Sequence, residues 1–138
     1  MSRSKPKAIR EFCPKEEDEQ AAVVGWAVSM EGREPRLRLL HASMNGILTN
    51  PRFGAKLQRL GRKAGVPDLF LPVRIFAKYP IERWQSGLWI EMKRLKGGVV
   101  SDEQKAWHVA LREQGYRVEV CRGAEAAIAA LKDYLEME

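Results

Sequence analysis

The sequence predicts an α/β domain in which helices flank a mixed central β-sheet. Its 45% hydrophobic and 30% charged residues are a normal globular balance, and 138 residues suit one domain of ordinary size. Helical and strand-like periodicities alternate along the chain in the order α, β, α, β, β, α, β, α. Because no apolar stretch approaches the roughly 20 residues that a membrane span needs, we expect no membrane partner.

The first half of the chain should contain two helices and one strand. Residues 1–13 are polar and basic, and we expect them to form a flexible arm that precedes a single domain over residues 14–138. A helix is predicted over Pro14–Met30, since proline is tolerated in the first turn. Alternation predicts a strand over Arg36–Ser43, and apolar residues at helical spacing after an Asn-Pro start predict a second helix over Asn50–Ala64.

The second half should contribute most of the sheet. Ser101–Gln114 begins with SDEQ, a capping-box signature, and Ala124–Leu135 has an apolar stripe at helical spacing. The segment Arg74–Gly87 is expected to be irregular, aromatic and basic. Three strands are predicted in this half: Pro67–Val73, Leu88–Lys93 and Tyr116–Cys121.

The net charge of +6 is concentrated in one region. Between residues 33 and 66 there are eight basic residues against one acid, Glu34. Such a region suits a polyanion, because each phosphate that is contacted releases counterions; the alternative is a solvated surface that keeps the protein soluble. The residues that we expect to bind DNA phosphates are Arg52, Lys56, Arg59, Arg62 and Lys63.

The two cysteines, Cys13 and Cys121, lack the spacing of a metal site. We interpret them as free thiols in a reducing compartment. Basic residues at the start of the chain are not followed by an apolar segment, so no signal peptide is predicted. The expected location is therefore the cytoplasm.

Charged residues interrupt the two most apolar strands. Asp68 opens one of them, directly after a proline, while Glu91 and Lys93 lie two apart on the next strand and therefore project from one face, which Trp89 shares. Adjacent strands would bring Asp68 beside Glu91, and two close carboxylates repel unless a cation lies between them. Oxygen ligands of this kind suit Mg²⁺ or Mn²⁺. Taken singly, the Pro-Asp pair is typical of a turn, and E-x-K of a solvated cross-strand pattern.

Together these residues resemble the PD-(D/E)xK nuclease signature. The fuller strings RKAGVPDLFLPV, GLWIEMKR, SDEQKAW and GYRVEVCRG are similar to the VRR-NUC branch of that superfamily, especially its small stand-alone phage and bacterial members. The resemblance spans about Pro14 to Leu135. It implies a restriction-endonuclease-like core and Mg²⁺-dependent hydrolysis of phosphodiester bonds in DNA, with Mn²⁺ as a substitute metal.

The resemblance also implies a role for each site residue. Asp68, Glu91 and the backbone carbonyl of Met92 would hold the metal, and Lys93 would position the water and stabilise the transition state. Gln104 matches a glutamine that follows the catalytic strand in the family, although its place at the third helical position also fits a capping box.

The family further uses an acid from the first helix, followed four residues later by glutamine. Glu16 and Gln20 match this pattern and share a helix face with Val23, so we favour Glu16 as an additional metal ligand. Glu19 is the alternative. His41 and His108 have no metal-type partner nearby in the sequence; we expect His108 on the outer face of its helix and assign neither histidine to catalysis.

Stand-alone relatives of this size suggest a homodimer that cuts branched DNA such as four-way junctions, since a two-fold dimer presents two sites to a symmetric junction. The alternative is a non-catalytic DNA-binding or interaction subunit of a repair or packaging complex. Further expected DNA contacts are the arm near Lys5, Lys7 and Arg10, the turn at Asn45-Gly46, and stacking by Tyr79, Trp84 and Trp89. For Trp89 the alternative is packing within the fold.

Overall fold

The structure, a computed structural model, describes residues 13–44 and 50–138. The predicted basic arm, apart from its last residue, and the Asn45-Gly46 turn lie outside these residues. The helices in the described part of the chain are α1 (Glu16–Met30), a 3₁₀-helix (Pro35–Leu39), α2 (Pro51–Arg59), α3 (Asp102–Glu113) and α4 (Ala124–Leu135). The strands are β1 (His41–Ala42), β2 (Leu69–Leu71), β3 (Ile75–Ala77), β4 (Arg83–Gln85), β5 (Leu88–Lys93) and β6 (Arg117–Arg122).

The main sheet has four strands in the order β1-β2-β5-β6. Strand β2 pairs antiparallel with both β1 and β5, whereas β6 runs parallel to β5 after the crossover through α3. The predicted α/β class with a mixed sheet is therefore confirmed. No helix in the described ranges is long and apolar enough to cross a membrane.

The two faces of the sheet have different chemistry. Alternate residues of β5, Leu88, Ile90 and Met92, are fully buried in the apolar core with side chains of α1 and α4. The opposite face carries an aromatic stack in which the rings of Phe70 and Trp89 lie 4.1 Å apart. The charged residues of β5 lie on this second face, which α3 covers, so the strand holds them without interrupting the core.

The predicted strand over Arg36–Ser43 was wrong for most of its length. Only His41–Ala42 pairs with β2, and the preceding residues form a 3₁₀-helix with Pro35 in its first turn. The Glu34 carboxylate caps this helix by accepting a hydrogen bond from the Arg36 backbone N–H at 3.2 Å. The local cap and the buried Leu37 outweigh the alternating pattern.

The expectation that Arg74–Gly87 is irregular was also wrong. Strands β3 and β4 form a separate antiparallel hairpin in which Phe76 lies opposite Trp84, with the two ring centroids 5.3 Å apart. The Arg74 guanidinium lies over the Trp84 ring at 4.1 Å, a cation–π contact. This cross-strand aromatic pair stabilises a hairpin whose strands are only three residues long.

Helix α2 ends earlier than predicted, at Arg59 instead of Ala64. Gly61 has φ +110°, which is not a right-handed helical angle and therefore ends the helix. Glycine adopts this angle more readily than other residues. The start is as predicted: the side chain of Asn50 caps the helix, accepting a hydrogen bond from the Phe53 N–H at 2.8 Å. The predicted capping box of α3 is also confirmed, and the bounds of β5 and α4 agree with the sequence patterns.

Candidate active site

Asp68 and Glu91 face each other across two adjacent strands. Leu69 pairs with Ile90 in the antiparallel register, so Asp68, one residue earlier, lies opposite Glu91. The Asp68 Oδ2 atom accepts a hydrogen bond from the backbone N–H of Met92 at 2.7 Å, which fixes one oxygen against β5. Asp68 is 6% exposed and Glu91 is 1% exposed. The fold thus buries two carboxyl groups side by side.

The loop that leads into β2 holds Asp68 against its neighbours. Ser43 donates two hydrogen bonds to this loop. Its backbone N–H donates to the Asp68 carbonyl at 2.8 Å, and its hydroxyl donates to the Pro67 carbonyl at 2.7 Å. Gly65 has φ +92°, and a Cβ there would lie 2.9 Å from both the Glu103 backbone and the Trp107 ring of α3. A glycine is therefore required where this loop crosses α3.

The carboxyl group of Glu91 is strongly perturbed. Burial, followed by its hydrogen-bonding contact with Asp68 and the charge of that residue, raises the pKa of Glu91 to about 9, while Lys93 acts in the opposite direction. Without a cation, Glu91 therefore holds a proton at neutral pH. Its Oε1 atom is buried and has no hydrogen-bond partner, an uncommon state for a buried polar atom.

Lys93 is brought to the same face and is held there by α3. Its side chain is buried, with 7% of the residue exposed, and its Nζ donates to Gln104 Oε1 at 3.1 Å. The same oxygen accepts the Ser101 backbone N–H at 2.9 Å, which completes the capping box. Gln104 thus combines the two roles that the sequence left open: it closes the helix cap and anchors the amine.

Glu16 and Glu19, the two candidate acids of α1, have different surroundings. Glu16 is half-buried, and burial together with the charge of Asp68 raises its pKa, while Lys93 and Arg94 act to lower it. It therefore lies within electrostatic reach of the carboxylate pair. Glu19 is buried, and its Oε2 accepts the Ala124 backbone N–H at the start of α4, an N-terminal cap supplied by another helix.

This difference leads to a test of stability. Replacing Glu19 with alanine should lower the free energy of unfolding by about 1.5–3 kcal/mol, because a charged acceptor of a backbone N–H at a helix start is lost. Replacing Glu16 with alanine should change stability much less, since no hydrogen bond of its carboxylate holds an element in place. Urea unfolding of the two variants measures both effects, and equal losses would contradict the assignment.

The prediction that His108 lies on the outer face of its helix was wrong. His108 is only 4% exposed, and its Nε2 lies 3.7 Å from Glu91 Oε1. Burial, Arg112 and Lys93 lower the pKa of the imidazole, which favours its neutral form. The sequence did contain a signal: His108 follows Gln104 by four residues, the spacing of one helix face.

The arrangement fits a divalent cation through two side chains and the backbone. Within residues 13–44 and 50–138, no three His, Cys, Asp or Glu side chains lie close enough together to hold a metal ion. The available oxygen donors are Asp68 and Glu91, whose side chains are in contact, and the backbone carbonyl of Met92, the residue after Glu91. The raised pKa of Glu91 is what a cation between the two carboxylates would relieve.

The predicted phosphate-binding residues lie on or just after α2. Arg52, Lys56 and Arg59 are exposed and share one stripe of the helix at intervals of four and three residues. Lys63 is exposed and Arg62 half-buried in the segment that follows. This helix buries none of its residues, so its cationic stripe is open to a large partner.

The predicted base-stacking residues differ in their exposure. Tyr79 is 89% exposed and Trp84 53% exposed, on the β3–β4 hairpin. Trp89 is half-buried and stacked on Phe70, so it packs within the sheet. A cavity of about 740 Å³ near the hairpin is not lined by Asp68 or Glu91, and Arg117 in its wall pairs with Glu119 and Asp133, each at 2.8 Å.

A mixed sheet whose two central strands bring an aspartate, a glutamate and a lysine together, with helices on both faces, is a nuclease-like α/β core. The VRR-NUC domain model matches residues 5–125, most of the chain, and the protein belongs to the VRR-NUC family. A solved structure described as a "VRR_NUC domain protein" is 25% identical, covers 92% of this chain and 93% of its own, and superposes with a TM-score of 0.70. No curated protein matches significantly. The family supports a nuclease function with DNA as the partner.

Proposed function

We propose that the protein is a metal-dependent DNA endonuclease that hydrolyses phosphodiester bonds. The observation that carries the proposal is the buried pair of Asp68 and Glu91 with the Lys93 amine on the same face of β5. Burying these charged groups costs stability. A bound cation would neutralise the carboxylates, and a bound phosphate would pair with the Lys93 amine.

Asp68, Glu91 and the Met92 carbonyl are the proposed ligands of Mg²⁺ or Mn²⁺, with Glu16 close enough to extend the ligand set through water. Bound there, the metal would supply Lewis acidity for the attack of water on the phosphodiester. Lys93 would orient that water and offset the charge that develops on the phosphate. Gln104 holds the amine in place, so little reorganisation is needed when substrate arrives.

The basic stripe of α2 would bind the DNA backbone. Contacts from Arg52, Lys56 and Arg59 to phosphates position a duplex without reading its sequence. Arg62 and Lys63 extend the positive charge toward β2, the strand that Asp68 precedes. Because these contacts release counterions, binding should weaken steeply with salt.

Within this function we propose branched DNA as the substrate and a homodimer as the active form. A two-fold pair of sites suits the symmetry of a four-way junction. The exposed aromatic surface of the β3–β4 hairpin, with Phe76, Tyr79 and Trp84, is available for unpaired bases or for the second subunit. A subunit that only binds DNA remains the second candidate, and the complete set of Asp68, Glu91 and Lys93 counts against it.

The test is a cleavage assay with Mg²⁺ or Mn²⁺ on four-way junctions, flaps, single strands and plain duplex. We expect junctions and flaps to be cut and cutting to stop in EDTA. Lys93→Met, which keeps the apolar stem but removes the amine, should reduce cutting by at least about 100-fold, whereas Lys105→Met, at an exposed site on α3, should cut normally. DNA binding without cutting would favour the non-catalytic subunit, and light scattering would report the dimer.

A further inference from the structure

His108 is a buried polar side chain that the proposed reaction does not use. Its Nε2 atom and Glu91 Oε1 are 3.7 Å apart, and neither has a hydrogen-bond partner. Buried polar atoms without partners are costly, and an apolar residue of similar size would fill the same space at no such cost. A ring nitrogen that can donate thus lies near a carboxyl oxygen that can accept.

The contact between His108 and Glu91 follows from the matching residue spacings of α3 and β5. Gln104 and His108 are four residues apart on α3, about one helical turn or 6 Å along the axis. Lys93 and Glu91 are two residues apart on β5, about 6.6 Å along the strand. The helix therefore presents one polar side chain to each charged residue of the strand: Gln104 reaches Lys93 at 3.1 Å, and His108 faces Glu91 one turn further along.

We propose that His108 is a positioning residue for Glu91: its Nε2–H donates to Oε1 and fixes which carboxylate oxygen is left to face Asp68. The two atoms lie 3.7 Å apart while Glu91 also contacts Asp68, and hydrogen bonds of this kind tighten when a site binds its substrate. An imidazole can carry a hydrogen on Nε2 in its neutral and its protonated form, so the contact does not depend on titration. The inference rests on the proposed function only in assigning Glu91 to a metal.

The hydrogen bond itself can be tested without metal or DNA. The chain has two histidines, so ¹⁵N-imidazole NMR of His41→Gln leaves the His108 ring as the single signal. We expect Nε2 to be the protonated nitrogen and its resonance to move when Glu91→Gln is added. The proposal would be overturned if the His108 ring were protonated on Nδ1 alone, or if the Nε2 resonance did not shift on Glu91→Gln.

The consequence for the metal site is tested by Mn²⁺ binding, measured by calorimetry. His108→Leu should weaken Mn²⁺ binding by about 10- to 100-fold, the usual effect of losing a residue that orients a ligand. His108→Gln, whose amide can reach the Nε2 position, should bind within a few-fold of the wild type, and the exposed-site control His41→Leu should be unchanged. Thermal melts of each variant check that it is folded.

The two arms separate the inference from the proposed function. If the wild type binds Mn²⁺ and His108→Leu binds it equally well, the positioning role is wrong and the nuclease proposal stands. If the NMR shows the Nε2–H bond to Glu91 but the wild type binds no Mn²⁺, the proposed metal dependence is wrong and His108 orients Glu91 for another purpose.

Discussion

Replacing Asp68 with asparagine should lower metal-dependent cleavage by about 100- to 1,000-fold while leaving the protein folded. Asparagine keeps an oxygen that can accept the Met92 N–H, a bond of 2.7 Å in the structure, but it removes the negative charge that a divalent cation requires. The loss corresponds to the several kcal/mol that a metal contributes to a charged transition state. Initial rates on the preferred substrate, at saturating Mg²⁺, measure the effect.

Two further variants complete this experiment. Asp68→Ala also leaves the buried Met92 N–H without an acceptor, so it should lose about 1–3 kcal/mol of stability in addition to activity. Asp18→Asn makes the same change of charge at an exposed position of α1 and should cut like the wild type. Undiminished cutting by Asp68→Asn would mean that the activity belongs to another site or to a contaminating enzyme.

The meeting of Asp68 and Glu91 could be predicted from sequence because it follows from two local rules. Side chains alternate along a strand, and the apolar residues of β5 fix which face is buried in the core. Once Glu91 and Lys93 are assigned to the other face, a neighbouring strand that begins after Asp68 needs only the right register. The structure has that register, with Leu69 opposite Ile90.

Features that depend on distant contacts could not be predicted in the same way. Glu19 and Glu16 are almost equivalent on a helical wheel, and only the position of α4 determines that Glu19 caps Ala124. Similarly, whether His108 faces solvent depends on how α3 is rotated against β5. The hydrophobic pattern of α3 alone was too weak to fix that rotation, whereas the pair of Gln104 and Lys93 does so.

Competition between local and non-local structure explains the misassigned segments. The run RLRLL has the alternation of a strand, but Pro35 and the Glu34 cap favour a 3₁₀-helix, and β2 is long enough to pair only with His41–Ala42. In the hairpin the reverse holds: Pro80 and polar residues predict a loop, yet the cross-strand contact between Phe76 and Trp84 supports two short strands.

The pKa of Glu91 leads to the second large effect, a loss of stability with rising pH in the metal-free protein. The pKa of the Glu91 carboxyl is near its ordinary value of about 4.5 in the unfolded chain and is raised to about 9 in the folded protein. Between these values the folded state binds more protons, so stability falls as pH rises. The contribution is fully present below about 4.5 and is lost as pH approaches 9, with a slope of up to about 1.4 kcal/mol per pH unit.

Between pH 7 and 8.5, the change of stability with pH should come mainly from Glu91. The lowered pKa of His108 gives a contribution of opposite sign, which is complete by about pH 7, because above that pH the imidazole is neutral in both the folded and the unfolded state. Cys121, whose pKa burial raises to about 11, contributes only as pH nears 9. Urea unfolding in EDTA at several pH values should therefore show a decline in the wild type that Glu91→Gln, which carries no titrating proton, largely lacks.

A matched control and a metal titration sharpen the interpretation. Glu113→Gln, at an exposed position near the end of α3, should keep the slope of the wild type, and a slope that persists in Glu91→Gln would show that another group titrates. If Glu91 is a metal ligand, Mg²⁺ must displace its proton. Added Mg²⁺ should then stabilise the wild type more at pH 8.5 than at pH 7, because less work is needed to remove that proton, and Glu91→Gln should show no such dependence.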